Sequence, residues 1–349
     1  MFYICIMIVK GEATVVKHTG SHYLLAQLPH WDLFPAVLRG KIRLKGSSAT
    51  NPVAVGDVVT FEADVPEFRE DGQIRSSEGK CIGMEWLNLE NPVAITSVKP
   101  RRNYIIRKST NLSRQSHIIA ANLDRAFIIA TIDYPEIKLP FLDRILVTCE
   151  VYNVPVTIVL NKVDLYRESH AEMLEAFHEI YEGAGYPIIE VSAKTGEGVD
   201  VLRESCRGHL SLFSGVSGVG KSSLIKALDP SLDPKVGEIS EVHVQGKHTT
   251  TFYEMYALSE NPDAKDGDPL GFIVDTPGLR GFGLVDLKKE EIALYFPEML
   301  KASEDCRFTP CTHTHEPGCA VKEAVEAGEI SYDRYSSYLG MLDEEGKYR

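Results

Sequence analysis

A glycine-rich octapeptide limits the possible folds of this chain more than any other feature. Residues 215–222 read Gly-Val-Ser-Gly-Val-Gly-Lys-Ser and match the spacing G-x-x-x-x-G-K-[ST] in full. An apolar, strand-like run at 210–213 precedes the loop, and a helical run at 223–228 follows it. The glycines let successive N–H groups point inward and the helix adds its positive end, so the loop predicts a phosphate site. The alternative is a glycine-rich turn without a ligand.

The residues assigned to this phosphate loop are Gly215, Val216, Ser217, Gly218, Val219, Gly220, Lys221, Ser222 and Ser223. Lys221 is expected to neutralise the β- and γ-phosphates, and Ser222 to ligate Mg²⁺. Residues 275–278 read Asp-Thr-Pro-Gly directly after an apolar run at 272–274. A carboxylate at the carboxyl end of a parallel strand faces the crevice where ligands bind. Asp275 is therefore predicted as a direct or indirect partner of Mg²⁺, and the N–H of Gly278 is expected to reach the γ-phosphate.

Two further motifs follow apolar runs and predict which base the site accepts. Asn161-Lys162-Val163-Asp164 comes after the run at 156–160. The carboxylate of Asp164 can accept hydrogen bonds from N1–H and the 2-amino group of guanine. Adenine has an acceptor at N1 and no 2-amino group, so it would leave that carboxylate unpaired. Asn161 can bridge to guanine N7 and tie neighbouring loops together, while the stem of Lys162 lies over the base plane.

The second of these motifs, at residues 192–194, is predicted to complete base recognition. Ser192, Ala193 and Lys194 follow the apolar run at 188–191, and their backbone N–H groups can face guanine O6. Each tetrapeptide alone could be an incidental turn, but four motifs at four strand ends favour a nucleotide site. We therefore predict binding of GTP and GDP over the adenine nucleotides.

Strands and helices alternate from about residue 122, which predicts a doubly wound α/β sheet. The base motifs come before the phosphate loop, whereas ordinary small GTPases have the opposite order. This order, the loop at 246–251 (Gly-Lys-His-Thr-Thr-Thr) and a Cys/His spacing near the end resemble the circularly permuted GTPases of small-ribosomal-subunit biogenesis. The resemblance covers nearly the whole chain.

That resemblance implies an enzyme that converts GTP and water into GDP and phosphate, slowly alone and faster on the 30S ribosomal subunit. It implies contact with 16S rRNA near the decoding region in late maturation, through a barrel and a zinc domain. It also implies that the loop at 246–251 is a switch in which Thr249 or Thr250 contacts Mg²⁺ and the γ-phosphate. Spacing does not choose among Thr249, Thr250 and Thr251.

The attacking water needs a residue that orients it. Leu279 follows the Asp-Thr-Pro-Gly motif, so the glutamine that orients water in the Ras mechanism is absent there. His248 is the candidate for this catalytic role. The alternative is that His248 is a solvent-exposed loop residue.

The first 98 residues predict an oligonucleotide-binding (OB) type of β-barrel, because short β segments such as 12–16, 23–26, 41–44 and 57–62 alternate with turn residues. Any other small β domain is the alternative. The polar stretch at 66–83 is predicted as an inserted barrel loop. Residues 99–114 carry six basic and no acidic residues, which indicates either a solvated linker or a contact with a phosphate backbone. The predicted domains are 1–98 (barrel), 99–121 (basic linker), 122–285 (permuted GTPase domain) and 286–349 (helical zinc domain).

Three cysteines and a histidine near the end predict one structural Zn²⁺ site. The spacing Cys306-x4-Cys311-x-His313-x5-Cys319 supplies three thiolates and one imidazole, the donor set of a closed tetrahedral site. His315 is a competing ligand, and the preference for His313 rests on the family pattern. Reduced cysteines in a helical tail are the alternative.

Composition narrows the function classes. The net charge is −13, which argues against a non-specific nucleic-acid coat. Seven cysteines, three of them crowded together, suit a reducing compartment, and no apolar run approaches the ~20 residues that span a bilayer. We therefore expect a cytoplasmic monomer with no membrane partner. The second hypothesis is a nucleotide-gated RNA-binding module with incidental turnover.

Overall fold

A computed structural model of the chain describes residues 6–18, 22–39, 52–66, 74–75, 81–82, 89, 91–108, 116–232, 253–260, 268–276 and 287–344. These residues divide into two compact units. The first lies within Met1–Leu123, Cys206–Leu212 and Asp229–Pro277, and the second within Asp124–Ser205, Phe213–Leu228 and Gly278–Arg349. None of the described helices is both long and apolar enough to span a membrane.

The described strands are β1 (Ile6–His18), β2 (Tyr23–Ala26), β3 (Phe34–Leu38), β4 (Val58–Pro66), β5 (Ile74–Arg75), β6 (Cys81–Ile82), β7 (Val93–Val98), β8 (Tyr104–Lys108), β9 (Ser116–Ala121), β10 (Arg125–Ala130), β11 (Val156–Asn161), β12 (Ile188–Val191), β13 (Leu210–Gly215), β14 (Glu254–Ser259) and β15 (Pro269–Asp275). The described helices are α1 (Leu139–Val151), α2 (Val163–Tyr166), α3 (Ala171–Gly183), α4 (Val199–Ser205), α5 (Lys221–Leu228), α6 (Lys289–Ile292), α7 (Pro297–Ser303), α8 (Ala320–Glu326) and α9 (Tyr332–Glu344), with a 3-10 turn at Ala293–Tyr295.

The first unit begins with a closed five-stranded barrel. Its strand order is β1-β2-β3-β7-β4, and an antiparallel pairing of β1 with β4 closes it. The β3–β7 pairing is parallel, while the β1–β2, β2–β3 and β4–β7 pairings are antiparallel. Residues that alternate along these strands fill the interior; Val15, Leu25, Phe61 and Ile95 are fully buried. The OB-fold is a small barrel of five strands, so the predicted barrel is confirmed.

Three other segments of the N-terminal region were predicted with different success. The predicted strand at 41–44 lies outside the described residues. The stretch at 66–83 contains the short β5–β6 pair, which comes between barrel strands β4 and β7 in the order of the chain. The predicted basic linker at 99–121 contains the antiparallel pair β8–β9, which the sequence analysis did not predict. The domain boundaries at 98, 121 and 285 stay predictions.

Arg101, one of the basic residues of the predicted linker at 99–121, has a buried partner. Arg101 binds Asp57 with two short hydrogen bonds, from Nε to Oδ1 at 2.6 Å and from Nη2 to Oδ2 at 2.6 Å. The Asp57 side chain is fully buried, and that of Arg101 is 10% exposed. This arginine therefore neutralises a buried carboxylate of its own unit.

The second unit contains the parallel part of the sheet that positions the site. Strands β10, β11 and β12 pair in parallel, and β13 follows β10 in the strand order β12-β11-β10-β13. Strands β10 and β13 are buried almost throughout, because helices cover both faces of such sheets. The α/β class predicted from residue 122 onward is confirmed. Each of these strands ends in a loop that carries a predicted site residue or lies beside one.

The C-terminal helices pack on α1 around a buried arginine. Arg334 of α9 is fully buried and donates from Nη1 to Asp143 of α1 at 2.7 Å. It also donates to both carboxylate oxygens of Glu298 in α7, at 2.8 and 3.1 Å. Burial opposes the charge of Arg334, but the two carboxylates outweigh this effect and raise its pKa. We name this arrangement of Arg334, Asp143 and Glu298 the arginine clamp.

Candidate nucleotide and metal sites

Asn161 joins three loops at the carboxyl ends of the parallel strands. Its side chain is fully buried, and its Nδ2 donates to the carbonyl of Val219 in the phosphate loop at 2.8 Å. Its Oδ1 accepts from the backbone N–H of Ala193 at 3.1 Å. One amide therefore holds the loops after β11, β12 and β13 in register. These two bonds fix the orientation of the amide and leave one N–H of Nδ2 for the predicted contact with guanine N7.

Lys162 bridges the base motif and the phosphate loop. Its backbone lies in the left-handed region, with φ of 68°, and turns the chain from β11 into α2. Its Nζ donates to the carbonyl of Gly218 at 2.7 Å and also to the carbonyl of Tyr134. With the ammonium anchored at its tip, the aliphatic stem of Lys162 is held in place beside the predicted base position.

Asp164 is oriented by the loop after β12. Its Oδ1 accepts from the Ser192 hydroxyl at 2.7 Å, and its Oδ2 lies 4.0 Å from Nζ of Lys194. The Asp164 side chain is 15% exposed. A carboxylate offers about four lone-pair directions, so acceptor capacity remains for the paired N–H donors of a guanine edge. Ser192 also accepts from the N–H of Thr195 at 3.1 Å, which stabilises this loop.

The phosphate loop needs glycine at its two central glycine positions. Gly218 and Gly220 have φ of 91° and 89°, in the left-handed region that favours glycine. A Cβ at Gly220 would lie 2.5 Å from Nδ2 of Asn161, which is closer than real contacts allow. Helix α5 begins at Lys221 directly after the loop. The loop thus leads into the helix N-terminus that the phosphate prediction requires.

Asp275 is among the described residues, and several other predicted residues of the nucleotide site are not. Asp275 ends β15 in the first unit, half-buried, next to a buried Thr276. His248, Thr249, Thr250 and Gly278 lie outside the described residues. The structure therefore brings together the base motifs and the phosphate loop, and it does not test the switch loop.

The four predicted zinc ligands come together in the second unit. The ligand atoms of Cys306, Cys311, His313 and Cys319 all lie within 4.8 Å of one another. Nδ1 of His313 lies 3.3 Å from Sγ of Cys319 and 3.7 Å from Sγ of Cys306. His315 is exposed and directs its Nδ1 to the hydroxyl of Thr314 at 2.9 Å, away from this group. The geometry thus decides between the two histidines that spacing left open.

The chemistry of this cluster fits a cation. Burial raises the pKa of the Cys311 thiol to about 12 and also raises that of Cys319. Burial lowers the pKa of His313, which favours the neutral imidazole that metals bind. Three thiols and one neutral imidazole at these distances match the donors of structural Zn²⁺, whose charge would stabilise the thiolates.

Residues around the cluster hold its loop, and the sequence analysis missed them. Tyr335 donates from its hydroxyl to the carbonyl of His313 at 2.6 Å, and Tyr338 donates to the carbonyl of Thr312 at 2.7 Å. The Glu316 carboxylate accepts from the Thr312 hydroxyl at 2.6 Å and from its N–H at 2.8 Å. The sequence signal for these contacts was the spacing of the two tyrosines, which are three residues apart and therefore share one face of a helix.

Comparison with known proteins matches this arrangement. The model of the family described as RsgA GTPase matches residues 98–285. Small ribosomal subunit biogenesis GTPase RsgA 2 of Bacteroides thetaiotaomicron is 47% identical over 340 residues, covering 97% of this chain and 99% of that protein. Small ribosomal subunit biogenesis GTPase RsgA of Porphyromonas gingivalis is 44% identical over 338 residues, covering 97% and 98%.

Two solved structures share the fold. YjeQ from Thermotoga maritima is 30% identical with a TM-score of 0.71, covering 96% of this chain and 98% of that chain. YloQ, described as a circularly permuted GTPase, has a TM-score of 0.66 at 22% identity, covering 97% and 96%. Base motifs that precede the phosphate loop in the chain define this class, the circularly permuted GTPases. Within it, the chain belongs to the RsgA GTPase family.

Proposed function

We propose that this GTPase selects guanine nucleotides through Asp164 and hydrolyses GTP to GDP and phosphate during late maturation of the small ribosomal subunit. One observation carries the proposal. The Asn161 amide binds both Val219 and Ala193, so the base loops and the phosphate loop form one prearranged site. Asp164 presents its free lone pairs at that site, where guanine supplies matching N–H donors and adenine does not.

The chain's own residues would divide the work of hydrolysis as follows. Backbone N–H groups of the phosphate loop and the Lys221 ammonium hold the β- and γ-phosphates. Ser222, Asp275 and either Thr249 or Thr250 would hold Mg²⁺, which when bound neutralises charge on the phosphate oxygens. His248 orients the attacking water, and the N–H of Gly278 contacts the γ-phosphate.

A ribosomal partner follows from the relatives, which are named for biogenesis of the small subunit. We propose that the chain binds the 30S subunit and contacts 16S rRNA near the decoding region, as a monomer in the cytoplasm. The loop of the metal cluster supports an RNA contact. Phe308 is 44% exposed, and the guanidinium of Arg307 lies 5.5 Å from its ring centre. Exposed aromatic rings and guanidinium planes are the groups on which unpaired RNA bases stack.

The experiment that tests the enzyme is phosphate release from GTP, measured with and without purified 30S subunits. The proposal expects slow release from the chain alone and faster release with 30S subunits. Calorimetry with GDP and ADP accompanies it, and equal affinity for the two nucleotides would exclude guanine selection by Asp164. Nucleotide-dependent rRNA binding without any stimulated turnover would instead favour an RNA-binding module.

A further inference from the structure

The loop that follows β10 contacts both the base motif and the phosphate loop of the proposed nucleotide site. The Lys162 ammonium bridges the carbonyl of Tyr134 in this loop and the carbonyl of Gly218 in the phosphate loop. A Cβ at Gly218 would lie 3.5 Å from Cδ of Pro135, an ordinary van der Waals distance. Residues 134 and 135 therefore stand where the base motif and the phosphate loop meet.

Tyr134 is held in an unfavourable backbone conformation, and its ring is left exposed. Its φ is 55°, which is uncommon for a bulky side chain and unfavourable. Neighbouring bonds enforce it: Asp133 accepts from the N–H of Tyr134 at 2.7 Å, and Thr131 donates to the carbonyl of Pro135 at 2.5 Å. Tyr134 as a residue is 66% exposed, so burial of its side chain does not explain the conformation.

A bound nucleotide provides a partner for this ring. The base is expected at Asp164 and the phosphates at the loop of residues 215–222, so the sugar lies between them. Lys162 touches the phosphate loop with its ammonium and reaches the base position with its stem. The carbonyl of Tyr134 accepts from that ammonium, so residue 134 lies where the base position and the phosphate loop meet, next to the expected sugar.

We propose that the ring of Tyr134 packs on the ribose of the bound guanine nucleotide and slows its release. This inference rests on the proposed function, because it uses the positions assigned to base and phosphates. An aromatic ring removes apolar C–H surface of a sugar from water. The contact is independent of the γ-phosphate, so GDP and GTP gain equally.

The test compares Tyr134→Ala with Tyr134→Phe by calorimetry and stopped-flow, using GDP and a non-hydrolysable GTP analogue. Tyr134→Ala is expected to weaken both nucleotides by about fivefold, mainly through faster dissociation. Tyr134→Phe keeps the ring and is expected to stay within about twofold of the wild type. Weakening of the GTP analogue without weakening of GDP would overturn the ribose contact.

Backbone strain is controlled with Tyr134→Asn and Tyr134→Gly, which tolerate a positive φ. Both variants are expected to bind GDP as weakly as Tyr134→Ala while unfolding no earlier than the wild type without nucleotide. If they bind GDP like the wild type, the ring does not hold the nucleotide and the inference is wrong. If the wild type itself binds ADP as tightly as GDP, the proposed function fails, which is a separate and recognisable result.

Discussion

The base-recognition loops and the Cys/His cluster differ in what holds their side chains in place. In the base loops, Asn161 and Asp164 are held by hydrogen bonds to neighbouring backbone and side chains of the same unit. In the cluster, three thiols and an imidazole crowd within 4.8 Å, with burial acting against the thiolate forms. The first site is prearranged by the protein itself. The second has the donor set of a metal site, and a bound cation would make its crowded donors favourable.

The largest expected effect comes from removing a metal ligand. Cys311→Ser is expected to lower zinc content from about one ion per chain to near none, since a tetrahedral structural site uses all its ligands. Structural zinc contributes on the order of 10 kcal/mol in small domains, so the C-terminal helices should lose stability. Metal analysis and circular dichroism measure both changes. His315→Ala is the matched control and should keep its zinc; loss of zinc there would contradict the ligand set.

The second-largest effect is expected from the arginine clamp, which holds α9 independently of the metal. Arg334→Met breaks the arginine clamp and leaves the buried carboxylates of Asp143 and Glu298 uncompensated. We expect the free energy of unfolding to fall by about 3–5 kcal/mol, measured by urea denaturation. Arg167→Met is the control, because its pairs with Glu190 and Glu197 are partly exposed and should contribute less than ~1 kcal/mol. Equal losses in the two variants would refute a special role of the clamp.

Asp164→Asn tests the prearranged base site. The asparagine turns one acceptor into a donor that opposes the 2-amino group of guanine, so GDP affinity should fall by about 2–3 kcal/mol, near a hundredfold. Xanthosine diphosphate, with a carbonyl at that position, should gain affinity. Calorimetry measures both, and Asp200→Asn on the exposed face of α4 is the control. Unchanged GDP binding in Asp164→Asn would mean that the carboxylate does not read the base.

The smallest effect concerns the surface of the metal loop. Phe308→Ala is expected to reduce 30S-stimulated hydrolysis by about fivefold, near the ~1 kcal/mol lower end of stacking on a base. Hydrolysis without ribosomes should stay unchanged, because Phe308 lies in the metal loop. Leu300→Ala, also exposed, serves as the control. An equal fall with and without 30S subunits would speak against an RNA contact.

The features that were predictable from the sequence are those whose residues lie close together along the chain. The phosphate loop, the base motifs and the cysteine spacing each lie within about a dozen residues, so short patterns reveal them. The arginine clamp joins residues 191 positions apart, and no local pattern signals it. Spacing alone did not separate His313 from His315; the family pattern favoured His313, which the structure places among the three cysteines. The contact of Lys162 with Tyr134 escaped prediction since it is made to a backbone carbonyl, which any residue carries.

One turn of α9 connects the metal loop to the helix after β10. Tyr335 and Tyr338 bind the carbonyls of His313 and Thr312, while Arg334, on the same turn, binds Asp143 of α1. The metal loop and α1 are therefore bound to the same stretch of α9, about one turn or ~6 Å of helix. A partner that displaces the metal loop is expected to displace α1 with it.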